Sequence, residues 1–220
     1  MKDIKLEQSL TIQSAFTTME PTPSNPMMQR EAIHDNILQN ICPILVTESR
    51  INDDIVSMRI EGMEDVRVVF LIKGENTFLT RTAQMKYRIA RCSIVEAINR
   101  NPYKYTFSTM SEAVGLPCVH GELPMYVLTN PKMHYGSGLI MSKPILRNIL
   151  DRINEDIYIL PSSVHELIIL PASFVNDAKY LTDMVHSVNL SSVEPRDRLS
   201  NSVYKVDYTT MKMITIPYRP

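Results

Sequence analysis

The chain has 220 residues, 44% of them hydrophobic and 21% charged, a make-up that can bury a sizeable core. Lys and Arg (23) nearly cancel Asp and Glu (24), so no global field draws the chain to nucleic acid or to an anionic membrane, and any basic surface must be local. No apolar run reaches the roughly 18–20 residues that cross a bilayer, and the start MKDIKLEQSLTIQSAF lacks the apolar core of a signal peptide.

Residues 1–26 read as a flexible N-terminal arm. Pro21, Pro23 and Pro26 fall too close together for a helix or a central strand. Residues 27–220 are expected to form a single domain, with 27–116 and 117–220 as its natural halves. A helix is predicted over 27–41, where Ile33, Ile37, Leu38 and Ile41 share one face, and Cys42-Pro43 should end it. Strands are predicted at 44–47, 54–60, 66–72 and 77–81, with Lys73-Gly74-Glu75-Asn76 as a turn. Helical stretches follow at 82–88 and 93–100. The second has Ser93 and Glu96 spaced as a capping box. Residues 101–123 read as irregular, with one helical turn near 111–114.

The C-terminal half switches between strand and helix periods with a turn signal at nearly every switch. Strands are predicted at 125–128 and 135–141, the second containing Gly136 and Gly138. Ser142 and Pro144 open a helix whose buried stripe is Ile145, Leu146, Ile149, Leu150 and Ile153. Strands 156–160 and 164–170 read as a hairpin about Pro161-Ser162-Ser163. Asn176 or Asp177 caps the next helix, and 202–207 with 211–216 form a last hairpin. The sum is an α+β fold: a mixed, mostly antiparallel sheet with helices packed on one face. Neither G-x-G-x-x-G nor G-x-x-x-x-G-K-[ST] occurs, which removes the doubly wound nucleotide folds.

The segments PMYVLTN, YILPSSVHELIILP and RLSNSVYKVD together resemble a domain-of-unknown-function family of anaerobic gut bacteria. The resemblance runs from Thr77 to Asp207, and residues 1–76 follow the family pattern poorly. It implies an α+β fold and an intracellular bacterial protein. It implies no activity and carries over no functional residue.

Candidate chemistry is sparse. His165 and Glu166 are adjacent on a predicted strand and so point to opposite faces. They cannot converge on a metal, and no metal or cofactor is expected. With His134 they are the catalytic candidates, but Ser162-Ser163 beside them reads as turn chemistry rather than a nucleophile. Gly136 and Gly138 would let a ligand approach the backbone, although glycines in a strand more often mark a bulge. Arg196 and Arg198 could clamp a phosphate or carboxylate. Arg88 and Arg91 with Tyr103 and Tyr105 lie in the densest basic and aromatic stretch, the pattern of a single-strand nucleic-acid groove. Against it stands a solvated helical face beside core tyrosines, the favoured reading, and nucleic acid is not the expected partner. Cys42, Cys92 and Cys118 are odd in number and widely spaced, fitting free thiols in a reducing, cytoplasmic compartment.

With no legible nucleophile–base pair, metal spacing or phosphate loop, the expectation is a non-enzymatic binding or regulatory domain acting by protein–protein contact. The alternatives are a small-molecule, hydrolytic enzyme near His134, His165 and Arg198, and single-stranded nucleic-acid binding through residues 81–105.

Overall fold

The computed structural model describes residues 26–117, 124–161 and 163–220. Residues 1–25 of the expected arm, Cys118, His120 and Ser162 lie outside them. The described residues form six α-helices and ten strands, and every strand pair is antiparallel. The α+β class therefore holds, with the strands divided between two sheets.

The first sheet contains β1 (Ile41–Thr47), β2 (Ser57–Ile60), β3 (Met63–Ile72) and β4 (Thr77–Phe78). Its order is β1-β3-β2, with β4 also on β3. The apolar run VRVVFLI makes β3 the centre, and both its faces are covered. Val66, Val68, Phe70 and Ile72 join the main core, whereas Val69 and Leu71 join a smaller cluster with Ile44, Val46, Ile55 and Phe78 on the other face. The helix α1 (Pro26–Asn40) ends three residues before Pro43, which instead sits inside β1. A proline is tolerated there because β1 is an edge strand. Two short helices follow, α2 (Arg81–Lys86) and α3 (Arg91–Arg100). The predicted Ser93 cap of α3 is displaced. Ile94 N–H already bonds Ala90 O at 3.2 Å, so the helix starts one turn earlier and buries Ile94, Ala97 and Ile98.

The second sheet has the order β10-β9-β7-β8-β6-β5. Its strands are β5 (Thr106–Thr109), β6 (Tyr126–Thr129), β7 (Ile157–Leu160), β8 (Leu167–Pro171), β9 (Val203–Val206) and β10 (Met213–Ile216). The edge strand β5 falls in a stretch read as irregular. Four residues carry little pattern of their own, and pairing with β6 supplies the rest. The α4 turn (Met110–Ala113) follows, closed by a Thr109–Glu112 capping box.

Period-2 alternation decides what covers this sheet. Ile157, Ile159, Leu167, Ile169 and Tyr204 face the main core together with Ile145, Leu146, Ile149 and Leu150 of α5 (Lys143–Ile153). Leu160, Leu170 and Val203 face the other way, onto Leu181 and Val185 of α6 (Ala178–Ser191). Helices thus cover both faces of this sheet rather than one, because β7 and β8 are apolar on both. The main core draws on both sheets. They are also tied by Asp65 near the start of β3, which accepts from Tyr204 Oη at 2.5 Å and from Ser200 Oγ. Ser200 and Tyr204 both belong to the RLSNSVY segment, so that segment fastens one sheet to the other.

Residues 137–141, predicted as part of a strand, form a short 3-10 turn, Ser137–Met141. The two glycines explain it. A Cβ on Gly138 would lie 2.1 Å from Pro43 O, and one on Gly136 would lie 2.6 Å from Thr129 Oγ1. The segment packs backbone-first onto β1 and β6, closer than a strand with side chains could come. No helix among the described residues is long and apolar enough to cross a membrane.

Candidate functional site

The chain leaves β6 at Thr129 and turns on Asn130. Asn130 Oδ1 accepts from Lys132 N (2.9 Å) and His134 N (3.4 Å), and its amide donates to His134 O (2.6 Å). This side chain replaces a backbone turn and presents Lys132, Met133 and His134 outward. Met133 and Tyr135 adopt positive φ of 49° and 55°, so the loop is held by its docking. Gly136 N and Thr129 Oγ1 both donate to His165 O at 2.8 Å, and Ser137 Oγ donates to Val164 O at 2.8 Å.

His165 and Glu166 lie in the connection before β8, not on a strand as predicted. Ser163 Oγ accepts from His165 N at 3.0 Å, and Ser163 bridges to Arg198. These contacts bend the chain out of the ladder until Leu167. The imidazole is enclosed by partners. Tyr135 N–H donates to His165 Nδ1 at 3.2 Å, and Nε2 lies 3.5 Å from Asp197 Oδ1. A backbone N–H can only donate, so Nδ1 is the bare nitrogen and Nε2 carries the proton toward Asp197. His134 stacks on this ring, with centroids 4.9 Å apart and planes 24° apart. Partial burial, with the neighbouring His165, pushes the His134 pKa below its usual value, while Asp197 opposes the shift.

The structure therefore brings the His134 and His165 rings together, and the other candidate side chains do not join them. Glu166 makes no ion pair among the described residues. Arg198 Nε donates to Val193 O at 2.8 Å within its own loop. Arg196 is exposed, with Nε 3.9 Å from Asp197 Oδ2. Gly136 and Gly138 are buried against protein backbone rather than open to a ligand. The nucleic-acid candidates scatter. Arg88 lies with Tyr87 against the start of α1, and Arg91 faces a separate hollow of arginines. Tyr103 Oη donates to Ile41 O at 2.8 Å, and Tyr105 Oη to Asn148 Oδ1 at 2.9 Å.

Beside His134 and Tyr135 lies a cleft of about 540 Å³. Leu71, Pro102, Pro131 and Leu139 give it apolar walls, and Lys73, Lys104 and Lys132 stand around it. Among the described residues no Asp or Glu lines it. Lys73 Nζ sits 5.0 Å from the centre of the Tyr103 ring. Cys42 lines the same cleft, and burial pushes its thiol pKa up, with Lys73 opposing, which favours the un-ionised thiol over a nucleophilic thiolate. Sequence reasoning did not connect these lysines. Each stands alone in its own loop, and only the fold collects them. Among the described residues no three His, Cys, Asp or Glu side chains are placed to hold a metal ion.

Residues 34–208 match the model of a family described as a family of unknown function, DUF5688. The match covers most of the chain and reaches further toward the N-terminus than the resemblance read from Thr77 onward. No curated protein and no solved structure matches. The chain belongs to the DUF5688 family.

Proposed function

We propose that this member of the family is a non-enzymatic binding domain that takes an acidic, partly apolar segment of another protein in the cleft beside His134. One observation carries the reading: three lysines surround an apolar-walled cleft that no carboxylate of the described residues lines. Such a cleft attracts negative charge and rewards apolar burial at the same place. Its lysines come from three separate loops, a spread that suits an extended segment better than a point charge.

The hydrolytic alternative has the His134–His165 contact in its favour. It asks His165 to accept a proton, yet one ring nitrogen is engaged by the Tyr135 amide and the other bears its proton toward Asp197. In a nucleophile–base pair the carboxylate holds one nitrogen and leaves the other open. Here neither is open.

Fluorescence anisotropy with labelled peptides that mix Asp and Glu with Leu and Phe tests the binding reading. Binding is expected to saturate at low ionic strength, to weaken with salt, and to fall by about tenfold or more when Lys73, Lys104 and Lys132 are all changed to Gln. No saturable binding at low salt, or binding indifferent to the three substitutions, overturns it. So does an esterase activity that disappears in His165→Gln.

A further inference from the structure

The first sheet carries a second basic hollow, independent of the lysine cleft. Arg59 on β2 is paired directly with Arg67 on β3. Like charges at opposed positions of an antiparallel pair repel and destabilise the sheet. Arg67 is only 8% exposed, so water screens it poorly. Among the described residues one carboxylate answers it: Glu48 Oε1 accepts from Arg67 Nη2 at 2.6 Å, and the Glu48 side chain is itself 70% exposed. Arg81 and Arg91, the first residues of α2 and α3, line the same hollow of about 440 Å³ with Ser57 and Met58. Among the described residues Arg59, Arg81 and Arg91 form no ion pair. Among the described residues four guanidinium groups thus line the hollow with a single carboxylate, which Arg67 engages.

A folded chain of nearly zero net charge has no general reason to gather four arginines from two strands and two helices. The gathering makes chemical sense around a multiply charged oxyanion. Guanidinium forks bind phosphate oxygens two at a time, and Ser57 adds a hydroxyl. Among the described residues no aromatic ring lines the hollow, whereas a single-strand nucleic-acid groove stacks its bases on such rings. The volume is that of a small-molecule site. We propose that this hollow binds the phosphate or diphosphate group of a small molecule.

Isothermal titration at low ionic strength, with inorganic pyrophosphate, inorganic phosphate and a short single-stranded oligonucleotide as separate titrants, tests the site. Saturable binding of one equivalent of pyrophosphate is expected, tighter than phosphate. Arg59→Gln and Arg91→Gln, both exposed positions, should each weaken it by about tenfold or more, the loss expected for one charge-assisted contact. Arg100→Gln, at the far end of α3, should leave it unchanged. Glu48→Gln, which removes the one competing carboxylate, should tighten it. A purely structural Glu48–Arg67 pair predicts lower stability from that substitution and no gain in affinity.

Absence of saturable pyrophosphate binding overturns the proposal, as does equal weakening by Arg100→Gln. Oligonucleotide binding that pyrophosphate does not compete with also overturns it. Because the lysine cleft is untouched by these substitutions, failure here leaves the acidic-segment reading standing, and the reverse holds.

Discussion

At the scale of single residues, His165 shows how a backbone contact decides side-chain chemistry. Its Nδ1 accepts from the Tyr135 amide and its Nε2 faces Asp197. Nitrogen-detected NMR at neutral pH should therefore show the tautomer protonated at Nε2. A signal for the Nδ1-protonated tautomer would mean that the Tyr135 contact is not made and that the ring is available as a base. The sequence offered His165 with Glu166 as neighbours. The structure sets Glu166 aside and brings up Asp197 and Tyr135, both remote in sequence. No local signal announces such partners, because the convergence is made by the docking of two loops.

Among elements, the 3-10 turn Ser137–Met141 and β1 approach each other backbone to backbone. The turn leans on the Pro43 carbonyl with nothing but a Gly138 hydrogen between them. Gly138→Ala places a carbon where backbone already lies, so β1 or the turn must move. The expected cost is about 3 kcal/mol, the upper range for overpacking, read as a lower urea midpoint. A loss under about 0.5 kcal/mol would show that the two elements are not in contact. The pair Gly136 and Gly138 was legible as unusual from the sequence, but its meaning was not. Two glycines one residue apart fit a strand bulge equally well, and only the neighbouring backbone distinguishes a bulge from a packed turn.

For the molecule as a whole, the joint at Asp65 couples folding to alkaline pH. Burial, reinforced by the neighbouring Asp65 carboxylate, holds the Tyr204 phenol far above its usual range. Burial does the same for Tyr103 and pushes the Cys42 thiol up. Each of these groups keeps its proton more tightly when folded than when unfolded. Its contribution to stability is complete below the unfolded pKa and is lost as pH rises toward the folded value. Stability should thus begin to fall near pH ~8.5, where unfolded thiols ionise, and more steeply above about pH 10, where unfolded phenols do. Tyr204→Phe should cost about 1 kcal/mol at pH 7 through the lost hydrogen bond and flatten the decline above pH 10. Denaturant midpoints across pH 7–11 measure both effects. Parallel curves for the two proteins would remove Tyr204 from the account.

By itself the sequence determined the α+β class, the main helices and the hairpins of the C-terminal half. It could do so because these signals are local: IYIL and LIILP are short apolar runs stopped by Pro161 and Pro171, which reads as strands, and the stripe of Ile145, Leu146, Ile149 and Leu150 has the period of one helix face. Tertiary structure decided the rest. It put helices on both faces of the second sheet, turned 137–141 into a packed 3-10 turn, and seated Pro43 in an edge strand. It also collected Lys73, Lys104 and Lys132 around one cleft and Arg59, Arg67, Arg81 and Arg91 around another. Charged side chains carry no period, so where they meet depends on how distant strands and loops are brought into register.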